Sequence, residues 1–451
     1  MKHLAAVTVA LALCGCGEHS PPQANVPGGS LIPSLAATRL GESSKITHVV
    51  IIVQENRTPD NLFNGLPGAD TVRSGRNSRG ERVALRPIPL TAPYDISHEH
   101  SAYLVEHANG ELNGFNEVAV SACHVGKTCP PRDVRAYGYV PQTEVEPYFE
   151  MARRYAFGDR TFETNEGPSF PAHQYIISGT STISNGSQLR VASNAIEPTG
   201  GFTGGCDSPP GSYALLIDPS GNEDQGTYPC FNRLTLMDLL DHKSLSWRYY
   251  EAHLGAGLWQ APDAILHLRY SKEFATDVVA PSKTILSDVA AGRLADVVWL
   301  TPTGAASDHA GVTDGTGPSW VASVVNAIGE SRYWNTTAII LTWDDWGGWY
   351  DHVPPPQYNS YELGFRVPLV VISPYAKQHY VSHTQHEFGS ILKFIERTFG
   401  LPSLGTTDVR SDDLSDCFNF NRAPTPFEPI GAPLSKGYFL RQPETSESID
   451  Y

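Results

Sequence analysis

Positive charge is scarce in this chain. Thirty-two Lys and Arg stand against 48 Asp and Glu, a formal net charge of −16, and no Lys/Arg-rich run appears. The electrostatic footprint of a nucleic-acid partner is therefore missing. An anionic substrate would need local positive charge, from a metal ion or from histidines, against this acidic background. Long apolar runs are missing as well. The run from Leu4 to Leu13 is too short to cross a bilayer. No G-x-S-x-G elbow occurs, so a lipase-type serine triad loses support. "HTQHEFGS" lacks the H-E-x-x-H spacing of a zincin, and "GKT" at 126–128 lacks the earlier glycine of a P-loop. "CHVGKTC" has no second Cys/His pair at zinc-finger spacing. No internal repeat is visible.

What is present begins with a targeting signal. "MKHLAAVTVALALCGCGEHS" carries Lys2, a short apolar run and then cysteine, the pattern of a signal peptide over residues 1–16. "LCGC" resembles a bacterial lipobox with Leu13 at −3, Gly15 at −1 and Cys16 as the lipidated residue. Cys14 would put Leu13 at −1, where a small residue is expected; a cleavable signal without lipid is the alternative. Residues 17–43, rich in Pro and Gly, read as a flexible tether. The expectation is an exported protein, periplasmic or anchored at the outer membrane by lipid. Export permits disulfides. Cys123–Cys129 and Cys206–Cys230 are the economical pairs, each closing a loop, with Cys417 left over.

Forty per cent hydrophobic residues and eight tryptophans suffice for a large core. "ITHVVIIVQENR", "ADVVWLTPT", "TTAIILTWDD" and "RVPLVVISPYA" read as buried strands. "EVEPYFEMARRY", "GPSWVASVVNAIGES" and "EFGSILKFIERTFGL" have helical spacing. "FNRLTLMDLLDHKSLSWRYYEAH" reads as helix, turn and strand, and "AHQYIISGTS" as a further apolar segment. Alternating strands and helices give an α/β layered fold with a largely parallel sheet. We expect one domain over residues 44–402, a loop-rich excursion at 181–232 and a Pro-rich tail at 403–451.

Three strands run directly into polar blocks, and ligands of open α/β sheets bind at the carboxyl ends of strands. After the first come Glu55 and Asn56, oxygen donors suited to hard or borderline cations; Asn56 can also donate to an anion. After "AIILTW" come Asp344 and Asp345, then two glycines, Trp346, Trp349 and the pair Asp351-His352. Adjacent carboxylates at the end of a buried strand are costly without a cation. Arg57 and Asp60 read as local structural partners. In "ETNEGPSFPAH", Ser169 lies between prolines and is a candidate nucleophile if a metal lowers its proton affinity; Thr164 is the rival. His98 and His309 sit in polar turns able to reach a common site, and His267 is a weaker candidate.

"QENRTPDNLF", "NEGPSFPAHQY", "SDH" and "WDDWGGWYDHVPPP", in this order, resemble the bacterial phosphoesterase family, which holds phospholipases C and acid phosphatases and belongs to the alkaline phosphatase-like superfamily. The resemblance covers approximately residues 45–402. It implies a three-layer α/β sandwich of alkaline phosphatase type. It also implies one divalent metal ion (Ca, Mg, Mn or Zn) held by Glu55, Asn56, Asp344 and Asp345. Ser169 falls on the family's nucleophile, His98 and His309 on its phosphoryl contacts, and His352 on a histidine of less definite catalytic role. The implied substrates are phosphate esters, phospholipid among them, cleaved through a phosphoseryl intermediate; the lipobox-like segment adds membrane contact through a lipid anchor, and the charge balance argues for no nucleic acid. A non-catalytic surface lipoprotein binding Ca2+ through the same carboxylates is the alternative. The chain departs from the family at Thr58-Pro59, at "DHAG", and at Trp346, where histidine is common. Trp346, Trp349 and the 181–232 excursion are candidates to line the substrate site.

Overall fold

The computed structural model describes residues 45–124 and 126–443, all within one compact unit. The signal segment, Cys16 and the tether lie outside the described residues, so the expectations placed on them stay expectations.

Eight strands form the central sheet: β1 (His48–Gln54), β2 (Ala156–Gly158), β3 (Trp247–Tyr250), β4 (Val278–Val279), β5 (Val297–Leu300), β6 (Thr337–Trp343), β7 (Leu369–Ile372) and β8 (Tyr380–Ser382). Their order is β4-β3-β5-β1-β6-β7-β2-β8. Every pair is parallel except those made by β7, which runs against β6 and β2. The inner strands are apolar on both faces: all seven residues of β6 are buried, and all of β1 except His48. That is why they read as continuous apolar runs, since helices cover both sides of a parallel sheet. The two edge strands, β4 and β8, are only two and three residues long, which limits the unpaired backbone they present.

The helices used below are α1 (Pro59–Leu62), α2 (His100–His107), α3 (Glu146–Arg154), α4 (Ser169–Ser178), α5 (Leu236–His242), α6 (Gly317–Gly329) and α7 (Phe388–Phe399). They gather in two groups: α3 packs with α6, and α4 packs with α5 and α7. With the sheet between, this is the α/β sandwich expected. Of the apolar segment "AHQYIISGTS", residues 172–178 form the end of α4. All ten residues of α4 are buried, so no polar face marks it as a helix.

The excursion at 181–232 builds a three-stranded sheet from Arg190–Val191, Ala214–Ile217 and Gln225–Thr227, and a hairpin from Ala195–Ile196 and Phe202–Thr203. It has its own apolar cluster, with Val191, Ala214, Leu216 and Phe231 against Phe170 and Trp259. Cys206 and Cys230 are joined across it, and Cys123 is joined to Cys129; Cys417 is buried and free. The segment after Leu401 packs onto the main core through Leu414, Cys417, Phe418, Ile430 and Phe439. Its prolines break helical and strand patterning without preventing burial.

Candidate active site

The site starts from a register. In the parallel pair β1–β6, Gln54 lies opposite Trp343, so Glu55-Asn56 and Asp344-Asp345 leave the same edge of the sheet side by side. The Asp344 N–H donates to the carbonyl of Gln54 at 3.0 Å, and the Asn56 N–H donates to Asp344 Oδ1 at 3.0 Å. All four side chains are fully buried. Asn56 is held at φ 65°, and Gly347 at φ 63° passes directly over it; a Cβ on Gly347 would stand 2.6 Å from the Asn56 carbonyl oxygen. Glycine is needed here both for the left-handed backbone and for the close approach. The turn also brings the Gly347 N–H to Asp345 Oδ1 at 2.7 Å.

α4 begins at Ser169, after Pro168. The Ser169 hydroxyl lies 3.2 Å from Glu55 Oε2 and 3.2 Å from Asp345 Oδ2. One helical turn on, His173 Nε2 lies 3.2 Å from Glu55 Oε1 and 3.8 Å from Asp344 Oδ2. Thr164 is engaged elsewhere: its hydroxyl accepts the Phe388 N–H at the start of α7.

His98, in the loop after Tyr94–Ile96, donates through Nδ1 to the Ile96 carbonyl at 2.7 Å. Its Nε2 therefore faces Asn56 Nδ2 at 3.1 Å and Asp345 Oδ2 at 4.0 Å. His309, in the loop after β5, likewise donates through Nδ1 to a carbonyl, that of Ala310, at 2.8 Å. The two rings meet edge to face with centroids 5.8 Å apart, and Asp95 stands beside both.

His352 is not part of this arrangement. Its Nδ1 is 2.6 Å from Asp60 Oδ2 and its Nε2 is 3.1 Å from Asp70 Oδ1, in an ion cluster centred on the buried Arg366. Arg366 donates to Asp351 at 2.6 Å and to the carbonyls of Asp70 and Asp159. The catalytic role expected for His352 gives way to this engagement: after the two glycines the chain turns toward Arg366. Arg57 is structural, donating to the carbonyls of Asp308 and Leu90. His267 pairs with Asp238 near the surface.

Two other expectations need correction. Trp346 and Trp349 are fully buried in a second apolar cluster and do not line the cavity beside His98 and His309. Trp346 donates its indole N–H to the buried Glu106 at 2.6 Å, and its ring meets that of His98 edge to face. The cavity beside His98 and His309, of about 520 Å3, is instead lined by Asp95, Glu99, Asn194 and Phe202 among others; the last two come from the excursion.

Electrostatically the site is unbalanced. Burial, with Asp344 adjoining, pushes the Asp345 carboxyl well above the usual range. Burial does the same to Glu163, with Asp345 and Asp344 adding to it. Burial opposes the charge on His98, but Asp345 and Asp95 hold it up at about 10. His173 is pushed down to about 4 by burial, which outweighs Asp344, and burial also lowers His309. Asp344 Oδ2 and Asn56 Oδ1 are buried with no hydrogen-bond partner. Buried acceptors without donors, around a pair of like charges, are what a cation satisfies. The donors Glu55, Asn56, Asp344 and Asp345, with the Ser169 hydroxyl, make an all-oxygen set that fits a divalent ion.

His173 and Asp95 were missed in the sequence reading. The i, i+4 spacing of Ser169 and His173 was available as a signal, but only on the premise that the segment is helical. Asp95 precedes His98 by three residues in a loop, and no periodicity marks it.

A family model, Phosphoesterase family, matches residues 46–402. The chain is similar to the hemolytic phospholipase C of Pseudomonas aeruginosa, 24% identical over 448 residues, covering 85% of this chain and 57% of that protein. It is also similar to phospholipase C A of Mycobacterium tuberculosis, 25% identical over 454 residues, covering 86% and 80%. A third relative is the non-specific phospholipase C6 of Arabidopsis thaliana, 24% identical over 408 residues, covering 80% and 69%. Among solved structures, a protein in the alkaline phosphatase superfamily from Vibrio parahaemolyticus aligns at a TM-score of 0.38 and 10% identity, over 82% of this chain and 70% of that one. At that score the likeness adds nothing to what the sheet itself shows.

Proposed function

The chain belongs to the phosphoesterase family, and from that premise we propose that it hydrolyses phosphate esters, with Ser169 as nucleophile and a phosphoseryl intermediate. One observation carries the reading: Ser169 Oγ stands 3.2 Å from both Glu55 and Asp345, in a site where Asp344 Oδ2 and Asn56 Oδ1 are buried without a hydrogen-bond partner.

Glu55, Asn56, Asp344 and Asp345 would hold a divalent ion, which when bound would lower the proton affinity of the Ser169 hydroxyl and offset charge on the phosphoryl oxygens. Ser169 is pre-aimed because it opens a buried helix and its hydroxyl proton is directed at a carboxylate. Its Oγ attacks phosphorus, forming the Ser–O–P bond as the bond to the leaving alkoxide breaks. His98 and His309 fix their Nδ1 protons on backbone carbonyls, leaving Nε2 of each to serve the reaction centre. An anionic phosphoryl group beside them favours the imidazolium form, in which each presents an Nε2–H: one donates to a phosphoryl oxygen and the other passes its proton to the departing alkoxide. Water then attacks phosphorus and gives its proton to the histidine that protonated the alkoxide, while the Ser–O–P bond breaks and Ser169 takes back the proton it had passed to the neighbouring carboxylate.

The cavity beside the two histidines gives a leaving group and a second ester group room next to the phosphorus. That favours a diester substrate of the phospholipase C kind over a compact monoester. The lipobox-like "LCGC" supports an exported protein tethered through Cys16 to a membrane surface.

Turnover of p-nitrophenylphosphorylcholine and of p-nitrophenyl phosphate, with and without chelator and in Ser169→Ala, tests the reading. We expect chelator-sensitive turnover, faster on the diester and abolished in a folded Ser169→Ala protein. Retained activity in that variant refutes the nucleophile. No turnover of either ester, with metal bound, would favour the Ca2+-binding lipoprotein.

A further inference from the structure

We infer that His173 is a positioning residue for this metal site: it grips one oxygen of Glu55 so that the other stays turned toward Ser169 and the cation. The inference rests on the metal-dependent reading above and concerns a residue that reading does not use.

The two contacts of α4 with Glu55 are complementary. Ser169 Oγ meets Oε2 at 3.2 Å, and His173 Nε2 meets Oε1 at 3.2 Å. Residues four apart share one face of a helix, so a single turn of α4 touches both oxygens of one carboxylate. A carboxylate held on one oxygen by a donor is restricted to one-oxygen coordination through the other, and it cannot rotate away when the ion leaves.

His173 is fully buried, and its ring lies against Trp259, centroids 6.4 Å apart and nearly parallel, so neither its helix nor its ring plane is free to change. The same surroundings argue that it orients rather than ligates. Nδ1 is buried and has no hydrogen-bond partner. If Nε2 bound the ion directly, the ring proton would sit on Nδ1 and strand a buried N–H. If Nε2–H donates to Glu55, only a lone pair on Nδ1 goes unmet. An orphaned buried donor is the state that folded proteins avoid most consistently.

The test uses the full-length chain, stripped of metal and titrated with Mn2+ by electron paramagnetic resonance, with circular dichroism to establish folding. In wild type we expect Mn2+ binding and no directly bound nitrogen in the spin-echo modulation. His173→Leu should bind Mn2+ roughly 10–100-fold more weakly. His173→Gln, whose amide N–H reaches the Nε2 position, should recover most of that loss. If the leucine variant does not fold, His173→Asn takes its place: it stays polar but withdraws the donor, and the same weakening is expected. Unchanged affinity in the leucine or asparagine variant overturns the inference, as does a glutamine variant no tighter than leucine, or a metal-bound nitrogen in wild type that disappears in the variants. If wild type itself binds no Mn2+, Ca2+, Mg2+ or Zn2+, the metal reading fails and takes the inference with it, an outcome separable from the others.

Discussion

Substituting Gly347 by alanine tests whether backbone geometry builds the ligand set. Two residues here occupy left-handed backbone in direct contact, Asn56 at φ 65° and Gly347 at φ 63°. An alanine at 347 has two costs. Holding an L-residue with a Cβ in that conformation costs ~1–2 kcal/mol. Its Cβ would also lie 2.6 Å from the Asn56 carbonyl oxygen and 2.7 Å from the Asn56 Cβ, too close to stand. Neither contact is with the end of a flexible side chain, so the backbone must move, at ~1–3 kcal/mol for overpacking. The total is ~2–5 kcal/mol. Gly80 supplies the control: it has φ 75° and nothing within 4 Å of an added Cβ, so Gly80→Ala should show only the conformational cost. Urea unfolding of both variants in chelator, followed by tryptophan fluorescence, isolates the contact as the difference between them. Because the atoms pushed belong to Asn56, which hydrogen-bonds Asp344 and His98, Gly347→Ala should also weaken Mn2+ binding while Gly80→Ala leaves it alone. Equal destabilisation of the two variants, or a destabilised Gly347→Ala with wild-type metal affinity, would refute the reasoning.

Two further expectations concern groups away from the candidate ligands. Arg366→Met leaves Asp351 buried without its cation and Asp60 with His352 alone, and should cost ~3–5 kcal/mol in urea unfolding. Adding Asp351→Asn should restore part of that loss, and an additive double variant would show that the charges are not coupled. Glu396 on α7 is pushed from 4.5 up to about 7, chiefly by burial, with the Leu404 N–H opposing and Asp408 adding. A raised carboxyl contributes stability that is complete below its unfolded value and lost as pH rises through its folded one. Unfolding free energy should therefore decline between about pH 5 and pH 8, and less steeply in Glu396→Gln; an identical slope in the variant would count against it.

How much of this was legible depended on whether a feature belongs to one segment or to two. The apolar runs ending in "QENR" and "TWDD" announced buried strands with chemistry at their tips, because a parallel sheet covered on both faces leaves no alternation to confuse the reading. That Asn56 would bond Asp344, 288 positions away, is a consequence of strand order and register, which no local pattern carries. The direction of β7 was invisible for a related reason: "PLVVI" has the same composition whichever way it runs, and only its neighbours fix it as antiparallel.

The candidate site divided along the same line. Residue types suited to a cation could be picked out singly, and the acidic chain made a metal or histidines the natural source of positive charge. Orientation could not be picked out. Trp346 and Trp349 flank the glycines that bend the chain over Asn56, and that bend sends both indoles inward, one to Glu106. His352 follows the same bend outward to Arg366, fourteen residues later in an otherwise apolar stretch, where one buried guanidinium collects Asp60 and Asp351 as well. His173 was hidden by the opposite circumstance. A helix buried on every side shows no polar face, so its histidine looks like one more core residue until the helix is in place. Only then does the four-residue spacing from Ser169 become a shared hold on Glu55, and the carboxylate that begins the site acquires a fixed orientation before any ion arrives.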